Sequence, residues 1–409
     1  MQLLPFPAVR PAPDLAARIP SLPYDVLDTA EARAIAAGDP YSFLHVVKPE
    51  IDLPDDVPHD DPRVYAGGRA AFDAMLARGW MVPDPAPSLY VYRLTRQGRA
   101  QTGVVGLVRV EDYEEGRIRR HELTRAAKEL DRVRHTRTLG AHPGLVFLAC
   151  RPAPALASAL AAVADHGRPA SDFVAGDGVR HTVWAVPDGD PRAVLEGALA
   201  GIDAFYIADG HHRAAAYARV AREAPMDGVP AFVAAVFPGD ELTLLDYNRL
   251  VRDLGGKSPE AFLEAVADAG FRVTPSHAPV RPERPGVFGM HLGGRWFRLD
   301  LVRRPGPDAD PVAALDVSVL SERLLRPVLG IADVRTDPRI DFVGGGRGVE
   351  ELARRVTSGE AAVAFSLCAT RLDDVFRVAD AGGVMPPKST WFEPKLRSGL
   401  LVHVFEPRA

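Results

Sequence analysis

One stretch limits the possible folds of this chain more than any other: FYIADGHHRAAAYARV, residues 205–220. An apolar, β-favouring run stops at Ala208, Asp209-Gly210-His211-His212-Arg213 follows without a gap, and an alanine-rich run with helix propensity begins at once. A strand therefore passes directly into a helix. At such a junction the first N–H groups of the helix lack intrahelical acceptors and the helix dipole is positive, so an anion is favoured. Gly210 lets the backbone approach a ligand closely. Arg213 and two histidines able to carry a proton would add charge-assisted donors to phosphate oxygens. The loop reads as a phosphate cradle, with an N-capping aspartate beside ordinary exposed histidines as the plainer alternative. A metal held by Asp209 and one histidine is also compatible. Neighbouring helical residues diverge by about 100°, so the two histidines do not share one ion.

The rest of the chain supplies strands and helices in mixed order, and the expected fold class is α+β. Asp28 and Glu31 have the spacing of a capping box before a helix at about 29–37, with Gly38 as its left-handed stop. A second helix is predicted near 65–79. SLYVYRLTR and QTGVVGLVRVEDY form a hairpin, HELTRAAKELDRVRHTRTLGAH a charged helix ending near Gly140, and GLVFLACRP, RHTVWAV and VPAFVAAVFP further strands. Beyond residue 255 the texture changes to helix SPEAFLEAVADAG, strands FRVTP and GVFGMHLGGRWFRLDLV, a helical stretch PVAALDVSVLSERLLRPVLG, a helix-turn-strand GVEELARRVTSGEAAVAFSL and a last helix LDDVFRVADAGG. We expect an N-terminal segment at 1–90, a core at 91–255 and a C-terminal α/β region at 256–409.

Composition narrows the partners. The 49 Lys+Arg against 54 Asp+Glu leave a net charge of −5, so no whole-chain basic field attracts nucleic acid. A small molecule is the expected partner. No apolar run reaches the roughly 18 residues of a membrane span, and no basic-then-apolar leader opens the chain, so no membrane association and a cytoplasmic location are expected. Cys150 and Cys368 both sit in apolar settings and read as buried small side chains.

Three further motifs carry chemistry. In RIRRHELTRAAKELDR, Glu122 follows His121, and Arg119, Arg120, Arg125 and Arg132 make a cationic neighbourhood for a carboxylate base and an anionic ligand. The two-histidine helix of zinc peptidases is absent, because Arg125 stands where the second histidine belongs. MPPKSTWFEPK sets Lys388, Ser389 and Thr390 behind two stiffening prolines, as either a carboxylate or phosphate grip or a surface turn. FVGGGRGVEE, at 342–351, lacks the Lys-Ser/Thr ending of a P-loop and reads as a tight turn.

Taken in order, PFPAVRP, PYDVLDTAEARA, PYSFLHVVKPEID, LYVYRL, GVVGLVRVEDY, HELTR, YIADGHHRAAAYA and MPPKSTWFEPK resemble the bacterial and archaeal family known as domain of unknown function 1015, across essentially the whole chain. That family is similar to the free L-serine kinases of the ParB/sulfiredoxin-like fold. The resemblance implies an α+β ParB/sulfiredoxin-like core with an N-terminal extension and a closing C-terminal α/β region. It implies ATP or ADP as phosphoryl donor, Mg²⁺ near Asp209, and L-serine as acceptor. The kinases' phosphate loop falls on Asp209, Gly210, His211, His212 and Arg213, their catalytic His-Glu pair on His121-Glu122, and their substrate-binding Pro-Lys-Thr-Thr segment on Pro387-Lys388-Ser389-Thr390. Trp391 and Phe392 stand where those kinases carry an arginine and a histidine, and sequence is inserted between Glu122 and the loop. A nucleotide-binding regulator without turnover and a metal-dependent phosphohydrolase remain open alternatives. Sulfiredoxin chemistry is excluded, since His211 occupies the slot of its cysteine.

Overall fold

The computed structural model describes residues 1–223, 228–306 and 309–405. The chain divides into two units: Met1–Leu242 together with residues from Pro394 onward, and Thr243–Glu393. Both mix helices with sheets, so the α+β expectation holds. No helix among the described residues is long and apolar enough to cross a membrane.

The first unit is built on an eight-stranded mixed sheet, in the order Ile118–Arg119, Phe205–Asp209, Val146–Cys150, Ala231–Pro238, Arg99–Arg109, Leu89–Arg96, Arg180–Val186, Ser171–Val174. The hairpin of Leu89–Arg96 and Arg99–Arg109 turns on Gln97 and Gly98, both at positive φ (50° and 78°), as a two-residue primed turn requires. Ala231–Pro238 is buried at every position, which is why it reads as a continuous apolar run. Two helices carry the site side. Ala126–Leu139 ends at Gly140 in the left-handed conformation, and His211–Glu223 packs beside it through Val133, Ala216 and Val220.

The N-terminal segment forms its own apolar cluster of Ile19, Phe43, Leu44, Phe72 and Met75, joined by Leu139 and by Val402 from the far end of the chain. Its first helix starts as the sequence predicts, and its second begins a few residues before the expected 65. Asp28 and Glu31 complete a capping box on Thr29–Ala36, and Asp61 caps Pro62–Ala77.

The second unit holds a six-stranded antiparallel sheet, in the order Phe271–Ser276, Arg295–Leu301, Val287–Leu292, Val363–Leu367, Tyr247–Val251, Ile340–Gly344. Phe262, Phe271, Phe288, Leu320, Leu324 and Phe365 fill its core. The structure draws the units differently from the expected division at 90 and 255. Residues before 90 share the first unit with the core, Tyr247–Val251 pairs inside the second sheet, and His403–Val404 pairs with Ala141–His142 of the first unit. The helical stretch at 311–330 is also shorter than expected. Asp316–Leu320 is α-helical, then Arg326 N–H bonds the Ser321 carbonyl five residues back, because Pro327 lacks an N–H and crowds the preceding turn.

Candidate functional site

The strand Phe205–Asp209 pairs Ile207 with Leu148 and Asp209 with Phe147, leaving Ala208 as an extra residue between them. Such a bulge re-aims the side chain that follows it. Asp209 Oδ1 accepts the Gly210 N–H at 3.0 Å, and Oδ2 lies 3.3 Å from Lys395 Nζ and 3.5 Å from Arg213 Nη2. Burial opposes ionisation of Asp209, but Lys395 and Arg213, with His211, outweigh it and hold the carboxyl below its ordinary range. The carboxylate is charged at neutral pH.

Gly210 sits at φ +90°, and a Cβ there would lie 2.9 Å from Arg213 Nε. That guanidinium folds back beneath the loop, where Nη1 donates to the Leu145 carbonyl at 2.6 Å and fixes it. Gly210→Ala is therefore expected to destabilise the protein by about 1–3 kcal/mol, read as a lowered urea midpoint, since it strains the backbone and meets an arginine that cannot swing away. An unchanged midpoint would show that the loop yields freely.

The first intrahelical bond runs from Ala214 N–H to the Gly210 carbonyl at 2.8 Å, so the N–H groups of residues 211–213 have no acceptor inside the helix. His211 is 6% exposed, its Nδ1 is 3.9 Å from Glu122 Oε2, and the His121 ring meets it edge-on at 4.6 Å. His212 Nε2 accepts the Arg125 N–H at 3.0 Å. The HELTR segment is thus laid along the Asp209–Arg213 loop although it lies far away in sequence.

The charge of the histidines differs from the sequence expectation. Burial pushes His121 down to about 4, with Asp209 pulling the other way, and burial with the nearby His121 holds His211 well below its usual value. Burial and then Lys128 lower His212. These rings are neutral N–H donors near neutral pH, because the fold removes the water that would solvate their charged forms. Both nitrogens of His121, Nε2 of His211 and Nε of Arg213 are buried without a hydrogen-bond partner. Four such atoms at one loop mark a place the fold alone does not satisfy.

Of the surrounding arginines, Arg119 lies over the Tyr206 ring at 5.7 Å and Arg132 over the Tyr24 ring at 4.1 Å, with Arg132 also paired to Asp131 at 2.6 Å. The sequence reading missed Lys395, although it closes the same MPPKSTWFEPK motif. Nothing local marks a lysine as the partner of an aspartate 186 residues earlier.

Lys388, Ser389 and Thr390 belong to the second unit. Lys388 takes φ +59°, its Nζ lies 5.5 Å from the Tyr247 ring centre, and Ser389 Oγ donates to the Pro386 carbonyl at 2.6 Å. Fully buried Arg249 holds this loop from below, donating to the Lys388 and Pro387 carbonyls at 3.0 and 3.4 Å. The Gly-rich segment is the tight turn expected: Gly345–Arg347 forms a single 3₁₀ turn after the strand Ile340–Gly344, and Gly348 follows at φ +74°. Burial pushes the Cys150 thiol up to about 12 and the Cys368 thiol up to about 11, so neither is a nucleophile near neutral pH. Among the described residues no three His, Cys, Asp or Glu side chains converge to hold a metal ion by themselves.

A family model described as "Protein of unknown function (DUF1015)" matches residues 3–318. The chain belongs to that family. No curated protein matches this DUF1015 member. Among solved structures it is similar to a free serine kinase mutant in complex with ADP, at 15% identity and TM-score 0.36 over 70% of this chain and 87% of the other. A free serine kinase in complex with AMP aligns at 15% identity and TM-score 0.37, covering 70% and 86%. A conserved hypothetical protein from Pyrococcus furiosus aligns at 14% and 0.37, covering 73% and 95%.

Proposed function

We propose that this chain transfers a phosphoryl group from ATP or ADP to the hydroxyl of a free amino acid, with L-serine as the first acceptor to test. The observation that carries the reading is the meeting of Glu122 with His211, 3.9 Å apart, at a helix N-terminus whose buried donors have no protein partner. A carboxylate base and an anion cradle from distant parts of the chain share one spot. That pairing is what phosphoryl transfer to an alcohol needs, since catalysis there is mostly positioning and charge stabilisation.

In this reading the N–H groups at 211–213, with the neutral ring of His211, hold the transferring phosphate. The acceptor oxygen attacks the terminal phosphorus, the bond to the bridging oxygen breaks, and the shortened nucleotide leaves. Glu122 takes the hydroxyl proton as the new bond forms, because a free alcohol is too weak an acid to ionise beforehand. Mg²⁺ would neutralise phosphate charge. The resemblance places that ion near Asp209, which would share its carboxylate with it beside Lys395 and Arg213. The resemblance assigns Lys388, Ser389 and Thr390 to the amino-acid carboxylate. Since the Ser389 hydroxyl is bonded to the Pro386 carbonyl, Lys388 and Thr390 are the donors to probe.

Incubation with ATP or ADP, Mg²⁺ and a panel of hydroxy amino acids tests the reading. The expected result is amino-acid-dependent nucleotide turnover with an O-phospho product seen by phosphorus NMR. Phosphate release without amino acid would make the protein a hydrolase, and nucleotide binding without turnover a regulator. Either outcome overturns the kinase reading.

A further inference from the structure

The two adjacent histidines of the loop meet different parts of one segment. Residues 120–125 belong to neither strand nor helix: they bridge the edge strand Ile118–Arg119, held by its pairing with Phe205 and Tyr206, and the helix Ala126–Leu139. Glu122 sits in this bridge. The sheet fixes one end of it. At the other end Arg125 immediately precedes the helix, and its N–H is one of the donors that a helix start leaves without an intrahelical acceptor. A capping box would satisfy that N–H from a Glu or Gln three residues on, but Lys128 stands there and has no acceptor. His212 supplies one instead, its Nε2 taking the Arg125 N–H at 3.0 Å.

This bond fixes the state of the ring. An imidazolium has no lone pair, so His212 is neutral here, with Nε2 as acceptor and the proton on Nδ1. Burial and Lys128 favour that form. Successive helical residues diverge by about 100°, which is why His211 meets Glu122 while His212 meets Arg125, three residues further along the bridge. An Nε2 that accepts a backbone N–H cannot donate to a phosphate oxygen. Its effect on chemistry runs through the bridge, where a displacement of about 1 Å is enough to cost about 10²-fold in rate.

We propose that His212 is a positioning residue, whose Nε2 latches the bridge to the helix His211–Glu223 and so holds Glu122 at the cradle. The latch itself stands on geometry, and the inference rests on the phosphoryl-transfer reading only for what Glu122 does once held. The full chain and its His212→Leu, His212→Gln and His212→Asn variants are compared by hydrogen exchange at the Arg125 amide, by calorimetric titration of ATP, and by turnover with ATP, Mg²⁺ and L-serine. His212→Leu is expected to speed exchange about threefold to tenfold, the scale of one hydrogen bond, and to lower kcat about tenfold to a hundredfold with ATP affinity unchanged. His212→Gln, whose Oε1 falls where Nε2 stands, should restore both, whereas His212→Asn, whose oxygen falls at the Nδ1 position, should restore neither. Should His212→Leu not fold, the Gln and Asn substitutions carry the comparison. Parental exchange in His212→Leu and His212→Asn overturns the proposal, as does a parental kcat in a variant whose Arg125 amide exchanges faster. Weakened ATP binding in His212→Leu, or recovery by His212→Asn alone, makes the ring a phosphate ligand and overturns it too. Slow exchange restored by His212→Gln alone, in a protein without amino-acid-dependent turnover, would sink the kinase reading and leave the latch standing.

Discussion

Glu122→Gln is expected to lower turnover by about 10²–10⁴-fold at saturating substrates, the usual contribution of general acid–base catalysis, while nucleotide affinity barely changes. The amide keeps the shape of the side chain and its hydrogen-bonding capacity, but it cannot accept the hydroxyl proton. Glu122 suits the role because its side chain is 35% exposed: a substrate can reach it, yet it stands 3.9 Å from His211 in the cradle. The pH–rate profile separates chemistry from bracing. Loss of the base removes the acidic limb of the profile, whereas a merely structural Glu122 would lower thermal stability and leave that limb in place. A near-parental rate with an unchanged profile would overturn the assignment. Asp25 would then be the next base to test, because its charge acts on both His212 and Arg213. Glu50 ranks behind it, being already paired with Lys48 at 2.9 Å.

Acid is expected to unfold the first unit at mildly low pH. His121, His135, His142, His181, His211 and His403 are all buried there, and burial depresses the pKa of each, His121, His135 and His403 to about 4 and His181 to about 3. In the unfolded chain a histidine titrates near 6.5, so between there and the folded value the unfolded state binds more protons. The stability these groups protect is complete above pH ~6.5 and is lost as pH falls through the depressed folded values. Each contributes a slope of about 1.4 kcal/mol per pH unit in that window, and total stabilities are only about 5–15 kcal/mol. Glu241, raised by burial, and His45, raised by its bond to Asp52, act in the opposite sense in this unit, but they are two against six. Urea midpoints should therefore drop steeply between pH 6.5 and 5. A flat midpoint across that range would show that these rings accept protons inside the fold.

What the sequence determined by itself is local. The strand-to-helix junction at Asp209–Arg213, the capping box of Asp28 and Glu31, the stop at Gly140 and the Gln97-Gly98 turn all depend on neighbours a few residues apart, which a linear reading sees. Family membership was legible for a related reason, since its motifs are contiguous strings. Strand pairing and burial decided the rest. Glu122 reaches His211 because the edge strand Ile118–Arg119 pairs in parallel with Phe205–Asp209 and sets the HELTR segment beside the loop. The pairing of His403 with His142 returns the C-terminal residues to the first unit, and the strap that results carries Lys395 to Asp209. The same burial makes the histidines neutral donors where the sequence suggested charges. Charge state depends on how much water the surrounding fold excludes, and neighbours along the chain do not set that.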